Sequence, residues 1–98
     1  MAVLFITEYS RLAIEWQGLP VLVGLEPSRT QTVAIGAGSV QATLNAGTKF
    51  LRLHTDAICH VKFGTNPTAS AAELRMAANQ TEFFGVKGGE LLAVIQGV

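Results

Sequence analysis

The residues with most to offer chemically stand together in His54-Thr55-Asp56-Ala57-Ile58-Cys59-His60, where imidazole, carboxylate and thiol fall within seven positions. A zinc site needs four such ligands converging tetrahedrally, or three and a water. The spacing works against one here. Successive side chains of an extended strand point to opposite faces, so Cys59 and His60 cannot reach the same ion. His54 and His60 can share a face, but the chain holds no other histidine and no other cysteine to complete a site. The expectation is no metal, and two surface histidines beside a buried thiol. As a nucleophile Cys59 would need exposure and a neighbouring base. Alternation places it with Ala57, Val61 and Phe63 on an inward face, which denies it exposure.

Other catalytic patterns are missing. No serine occupies a Gly-x-Ser-x-Gly elbow, and Gly36-Ala37-Gly38-Ser39-Val40-Gln41 lacks the third glycine of a dinucleotide-binding loop. The acidic residues Glu8, Glu15, Glu26, Asp56, Glu73, Glu82 and Glu90 are dispersed, and the sequence leaves open whether two of them meet in space. Tyr9 and Trp16 suit a stacking platform for a sugar or peptide, or a place in a core or interface. No catalytic residue and no cofactor is expected.

Composition points the same way. The 98 residues suit one domain spanning 1–98, 49% of them hydrophobic and only 14% charged. Globular domains carry about 25% charged residues. With so few charges to cover its outside, the protein is expected to press part of its apolar surface against another protein. The seven basic residues stand singly and the net charge is zero, which argues against nucleic acid as a partner. The lone cysteine excludes an internal disulfide. The longest apolar run falls far short of the roughly 18 residues of a membrane span. Met1–Ile6 is apolar without a basic segment before it and reads as a first strand.

The elements that must position these residues are short apolar runs bounded by turn signals, the β pattern. Strands are expected near Val3–Tyr9, Val21–Leu25, Thr30–Ile35, Val40–Leu44, Phe50–His54, Ile58–Phe63, Phe83–Lys87 and Leu91–Gln96. About eight short antiparallel strands with turns every 8–12 residues predict an all-β domain, a β-sandwich or jelly-roll-like fold. Ser70–Ala78 has helical composition but is barely two turns long, and reads equally as an extended connection with an isolated turn. Two hairpins are expected. Gly88-Gly89 suits a two-residue loop that sets Lys87 opposite Glu90 and pairs Phe83 with Val94 and Gly85 with Leu92. Thr55-Asp56-Ala57 joins Phe50–His54 to Ile58–Phe63 in the other. Both faces of the first hairpin are apolar beyond its tip, so it is the leading candidate for an interface. The interface residues expected are Phe83, Leu92, Val94, Val3, Phe5 and Trp16.

The stretch Phe50–Ala69 runs strand, turn, strand, then a Phe63-Gly64-Thr65-Asn66-Pro67-Thr68-Ala69 loop. Met76–Val86 and Ala93-Val94-Ile95 continue the pattern downstream, as Glu26-Pro27 and Gln31-Thr32-Val33 do upstream. Across about two-thirds of the chain this resembles small virion-associated proteins of tailed bacteriophages and prophages. The resemblance implies a β-sandwich or jelly roll on the capsid surface, a cement or decoration protein bridging subunits of the major capsid protein. A tail, neck or receptor-binding β module contacting carbohydrate or protein is the other role it allows. It implies synthesis in the host cytoplasm and a homo-oligomer, a dimer before a trimer, with no membrane partner. It carries over no catalytic residue. The apolar Ala2–Ile6 segment pairs within its own sandwich or adds a strand to a neighbour's sheet edge.

Overall fold

The computed structural model describes residues 2–14, 20–24, 29–87 and 89–97. They form ten strands and no helix: β1 (Val3–Tyr9), β2 (Leu12–Ile14), β3 (Pro20–Gly24), β4 (Arg29–Ala34), β5 (Val40–Thr43), β6 (Phe50–Thr55), β7 (Cys59–Gly64), β8 (Leu74–Met76), β9 (Thr81–Gly85) and β10 (Leu91–Gln96). Eight of them make a sandwich of two antiparallel sheets. Sheet A has the order β4-β1-β6-β9 and sheet B the order β5-β10-β7-β8, while among the described residues β2 and β3 pair with each other as a two-stranded ribbon. From β4 to β10 the chain follows the jelly-roll pattern, crossing between sheets at every connection except the β7–β8 hairpin. The slot between β4 and β6, which the last strand of a jelly roll fills, holds β1.

Alternation decides what enters the core. Leu4 and Ile6 of β1, Val33 of β4 and Leu51 and Leu53 of β6 face inward from sheet A. Ala42, Leu92, Val94, Val61, Cys59 and Met76 meet them from sheet B. Ala2–Ile6 thus pairs within its own sandwich, with β4 on one side and β6 on the other.

Both expected hairpins are instead arches. β6 lies in sheet A and β7 in sheet B, and the same holds for β9 and β10. The Thr55 hydroxyl donates to the carbonyl of Ala57 and accepts from its N–H at 3.2 Å, turning the chain out of sheet A. Asp56 then takes the Val3 N–H on its carboxylate at 2.8 Å, fixing the arch to β1. At the other arch Lys87 and Glu90 do form a tight turn, with Gly89 at φ 83° and the Lys87 N–H donating to Glu90 Oε1 at 3.1 Å. The strands on either side diverge to different sheets, so the pairs Phe83–Val94 and Gly85–Leu92 do not exist. Ser70–Ala78 takes the extended alternative: a turn near residues 71–72, then β8. The remaining turn of the region, 77–80, places Asn79 at φ 61°, a left-handed value asparagine tolerates better than most residues. β10 closes against β7 where Gly97 donates to the Ile58 carbonyl at 2.8 Å. A Cβ at Gly97 would collide with the Ile58 side chain and come within 3.0 Å of the Cys59 nitrogen, so glycine is required there by space.

One inward position on β1 is a carboxylate. Glu8 follows Leu4 and Ile6 on the core face and is completely buried. Its Oε1 accepts from the Asn45 N–H at 2.8 Å and the Thr48 hydroxyl at 2.7 Å. Its Oε2 accepts from Gln31 Nε2 at 3.0 Å and lies 3.6 Å from Arg29 Nε. Gln31 and Arg29 of β4 also reach the Thr43 carbonyl at the end of β5, at 3.0 and 3.2 Å. The cluster therefore ties sheet A to sheet B at one end of the sandwich. Removing one partner from a buried charged network costs about 3–5 kcal/mol, whereas an amide that keeps part of the bonding costs about 1–3 kcal/mol. Urea titration of Glu8→Ala is expected to show a loss in the first range, and Glu8→Gln in the second; equal and small losses would mean the network carries little.

Candidate functional site

The two sheets are covered differently outside. Residues 65–73 fold over the outer face of sheet B. Gln41 Nε2 of β5 donates to Asn66 Oδ1 at 2.9 Å and to the Pro67 carbonyl at 2.8 Å, and the Ala69 N–H donates to Ser39 Oγ at 2.9 Å. Lys62 of β7 pairs with Glu73 at 3.6 Å. Beneath this strap Ala93 is fully buried although it points away from the core.

Among the described residues nothing covers the outer face of sheet A in this way. The register aligns Phe5 with Thr32 on one side and His54 on the other, Thr7 with Thr30 and Arg52, and Arg52 in turn with Phe83. Phe5 is 43% exposed and Phe83 46%, among the largest exposures of any bulky apolar residue described. The rings form a band across the sheet. Phe5 lies 6.2 Å from the His54 ring, while Tyr9 stacks on Phe50 at 4.8 Å and Phe50 sits 6.5 Å from Phe83. Beside Phe5 and His54, across β4, β1 and β6, lies a wide, shallow depression of 720 Å³ lined also by Thr7, Thr30, Thr32 and Arg52, among others. His54 is held by Thr81 Oγ1, 2.8 Å from its Nδ1. Arg52 has no ion pair among the described residues. An open face of aromatic rings, hydroxyls and one guanidinium suits adhesion to another surface, not enclosure of a small molecule, whose pockets bury most of the ligand.

The expected interface residues separate on this structure. Phe83, Phe5 and the half-buried Val3 share the outer face of sheet A. Leu92 and Val94 do not belong to an interface: both are core residues, 1% exposed, because β10 is central in sheet B and turns them toward sheet A. Trp16 lies outside the described residues. Arg52, Thr7, Thr30 and His54 complete the face without having been expected there; the signal was the alternation of β6, which sends Arg52 and His54 to the side opposite Leu51 and Leu53.

The histidine and cysteine cluster is split by the first arch. His54 stands on the outer face of sheet A, and His60 on the outer face of sheet B. The two do not share a face. His60 is also not a surface residue. It is 4% exposed beneath the strap, with Nδ1 3.1 Å from the Glu73 carbonyl and Nε2 without a hydrogen-bond partner among the described residues. Among the described residues no three His, Cys, Asp or Glu side chains gather as metal ligands would. Cys59 is buried as its alternation implies, and burial pushes its thiol above the ordinary 9.0, partly offset by Thr55. No family model matches the chain, and no match was found among the curated proteins or the solved structures.

Two outcomes follow. Leu92→Ala is expected to cost about 2–5 kcal/mol in denaturant titration, as buried leucines do, and Phe83→Ser less than about 1 kcal/mol. A reversed order would mean β10, not β9, offers the outer surface. For Cys59, the native thiol keeps its proton at pH values where the unfolded thiol has released it. Its contribution to stability is therefore complete below 9.0 and is lost as pH rises above that value, with a slope of at most about 1.4 kcal/mol per pH unit. Cys59→Ser is expected to flatten this part of the stability profile relative to the unsubstituted protein.

Proposed function

We propose that the protein is a virion structural protein, a capsid cement that attaches to the major capsid protein lattice of a tailed bacteriophage. The observation that carries the reading is the exposure of Phe5 and Phe83 on the outer face of sheet A, on a sandwich whose other sheet is strapped by its own loop. A cement stabilises a shell by burying surface across several subunits. It needs a broad adhesive face, and several weak attachments made at once add up to tight binding. The resemblance of Phe50–Ala69 and the segments around it to small phage virion proteins gives the class of target. The low charge of the chain fits a protein that is itself partly covered in an assembly.

A second reading rests on the depression itself. Threonine hydroxyls, His54 and Arg52 beside the Phe5 ring also fit a tail, neck or receptor-binding module that contacts carbohydrate. The two part in one experiment. Purified protein added to undecorated capsids is expected to bind stoichiometrically and raise the rupture temperature, with both effects weakened by Phe5→Ser and Phe83→Ser. Failure to bind any shell, together with glycan-array signals lost in Arg52→Ala, would replace the cement reading by the second.

A further inference from the structure

β9 is an edge strand, with β6 on one side and no described strand on the other. The Thr55 N–H donates to the Gln80 carbonyl at 3.2 Å and the Val86 N–H to the Lys49 carbonyl at 2.9 Å, at the two ends of the β6–β9 ladder. Bonding residues alternate along an antiparallel strand, so Gln80, Glu82, Phe84 and Val86 turn their N–H and C=O groups to β6. Thr81, Phe83 and Gly85 turn theirs away, and no described residue bonds to them there. Phe83 and Gly85 are exposed, and a Cβ at Gly85 would meet nothing within 4 Å. An edge of this kind is a template for another strand.

The other edges offer less. β8 has three residues. On the side of β4 and β5, Arg29 and Gln31 cross to the Thr43 carbonyl and close the gap between the sheets. On the side of β8 and β9 apolar surface is left over: Leu74 stands opposite Val61, at the parity of the core, yet is 48% exposed. Devices that protect an edge are few here. β9 has no proline, lysine or bulge, and its one charge, Glu82, accepts from Gln80 Nε2 at 2.7 Å.

We propose that β9 pairs antiparallel with β9 of a second copy about a two-fold axis through Phe83. The strand is self-complementary in that register. Phe83 falls opposite Phe83 of the second copy and Thr81 opposite its Gly85, so the outward groups of all three residues exchange bonds. Glu82 falls opposite Phe84, so no like charges stand directly opposed. Residues opposite each other in a ladder share a face, which sets the axis perpendicular to the sheet. The two A sheets therefore become one continuous sheet, with both faces carrying Phe5, Arg52 and Phe83 turned to the same side. Such a dimer doubles the adhesive face instead of hiding it, and it closes at two copies because each edge is used once.

The pairing rests on the function proposed above for its purpose but not for its geometry, and its test needs no capsid, so a failed dimer leaves the adhesive face standing. Sedimentation equilibrium on the full chain is expected to show monomer and dimer and nothing larger. Because the axis sets position 83 against itself, Phe83→Lys and Phe83→Glu each bring like charges together. Each is expected to dimerise at least about tenfold more weakly, with the fold retained because Phe83 is half exposed in the single copy. Mixed, the two variants are expected to form a 1:1 heterodimer. Amide hydrogen exchange gives a readout that needs no substitution. Protection of the Thr81, Phe83 and Gly85 N–H groups is expected to rise with protein concentration, while those of Glu82 and Phe84 are protected at every concentration. A full chain that stays monomeric at the concentrations of the exchange measurement overturns the proposal. So does a dimer indifferent to both charges, a mixture that forms no heterodimer, or a rise in protection that passes over these three amides.

Discussion

A carboxylate with no access to water must find donors inside the protein, and Glu8 dictates where two other segments go to supply them. The Asn45 N–H and the Thr48 hydroxyl come from the β5–β6 connection, and Gln31 and Arg29 from β4. Because Gln31 and Arg29 also reach the Thr43 carbonyl, the cluster joins the sheets where no strand ladder can. Apolar packing between two sheets is tolerant of sliding, since neighbouring leucines and valines can substitute for one another. Directional bonds to a buried charge are not. The Glu8 network sets the register of β1 against both the facing loop and its neighbour β4, and with it the parity that sends Phe5, Thr7 and Tyr9 outward.

That parity is what made part of the structure legible in the sequence and hid the rest. Strand positions followed from short apolar runs and turn residues, and β1 and β10 fall where those signals place them. The alternation of β7 likewise put Cys59 in the core. Pairing was another matter. A glycine pair between two apolar strands marks a reversal, but an arch between sheets and a hairpin within one both reverse the chain. The difference is made by distant partners, such as the bond from Val3 to Asp56 and the ladder between β6 and β9, which local residues do not announce. The apolar character of β10 on both faces was read as a contact surface. It arises because Leu92 and Val94 face the core and Ala93 lies under a strap drawn from the same chain.

Of the candidate face, Phe5, Phe83 and Val3 were recognisable as apolar residues with no need to be inside. Arg52 and His54 were visible only as the polar half of an alternating strand. Their meeting with Phe5 and Phe83 depends on β1, β6 and β9 being neighbours, an order the sequence does not display. Glu8 carried a signal of its own: a charge at the same parity as Leu4 and Ile6. Whether such a residue faces out with its strand or in with a network is decided by donors that lie far along the chain, in β4 and in the β5–β6 connection.

The arches also bear on how the chain finds this shape. Within the sandwich β7 and β8 are the one consecutive pair of strands that sit side by side; every other ladder joins segments separated by at least one further strand. Little of the sandwich can therefore form from local contacts, and loop-closure entropy must be spent before most ladders return anything. Folding of such topologies belongs to the millisecond-to-second range typical of sandwiches dominated by distant pairing. Until β1 is seated between β4 and β6, both of those strands expose an unpaired edge. The strand that completes sheet A is thus also the one whose late arrival would leave the growing fold open to pairing with its neighbours.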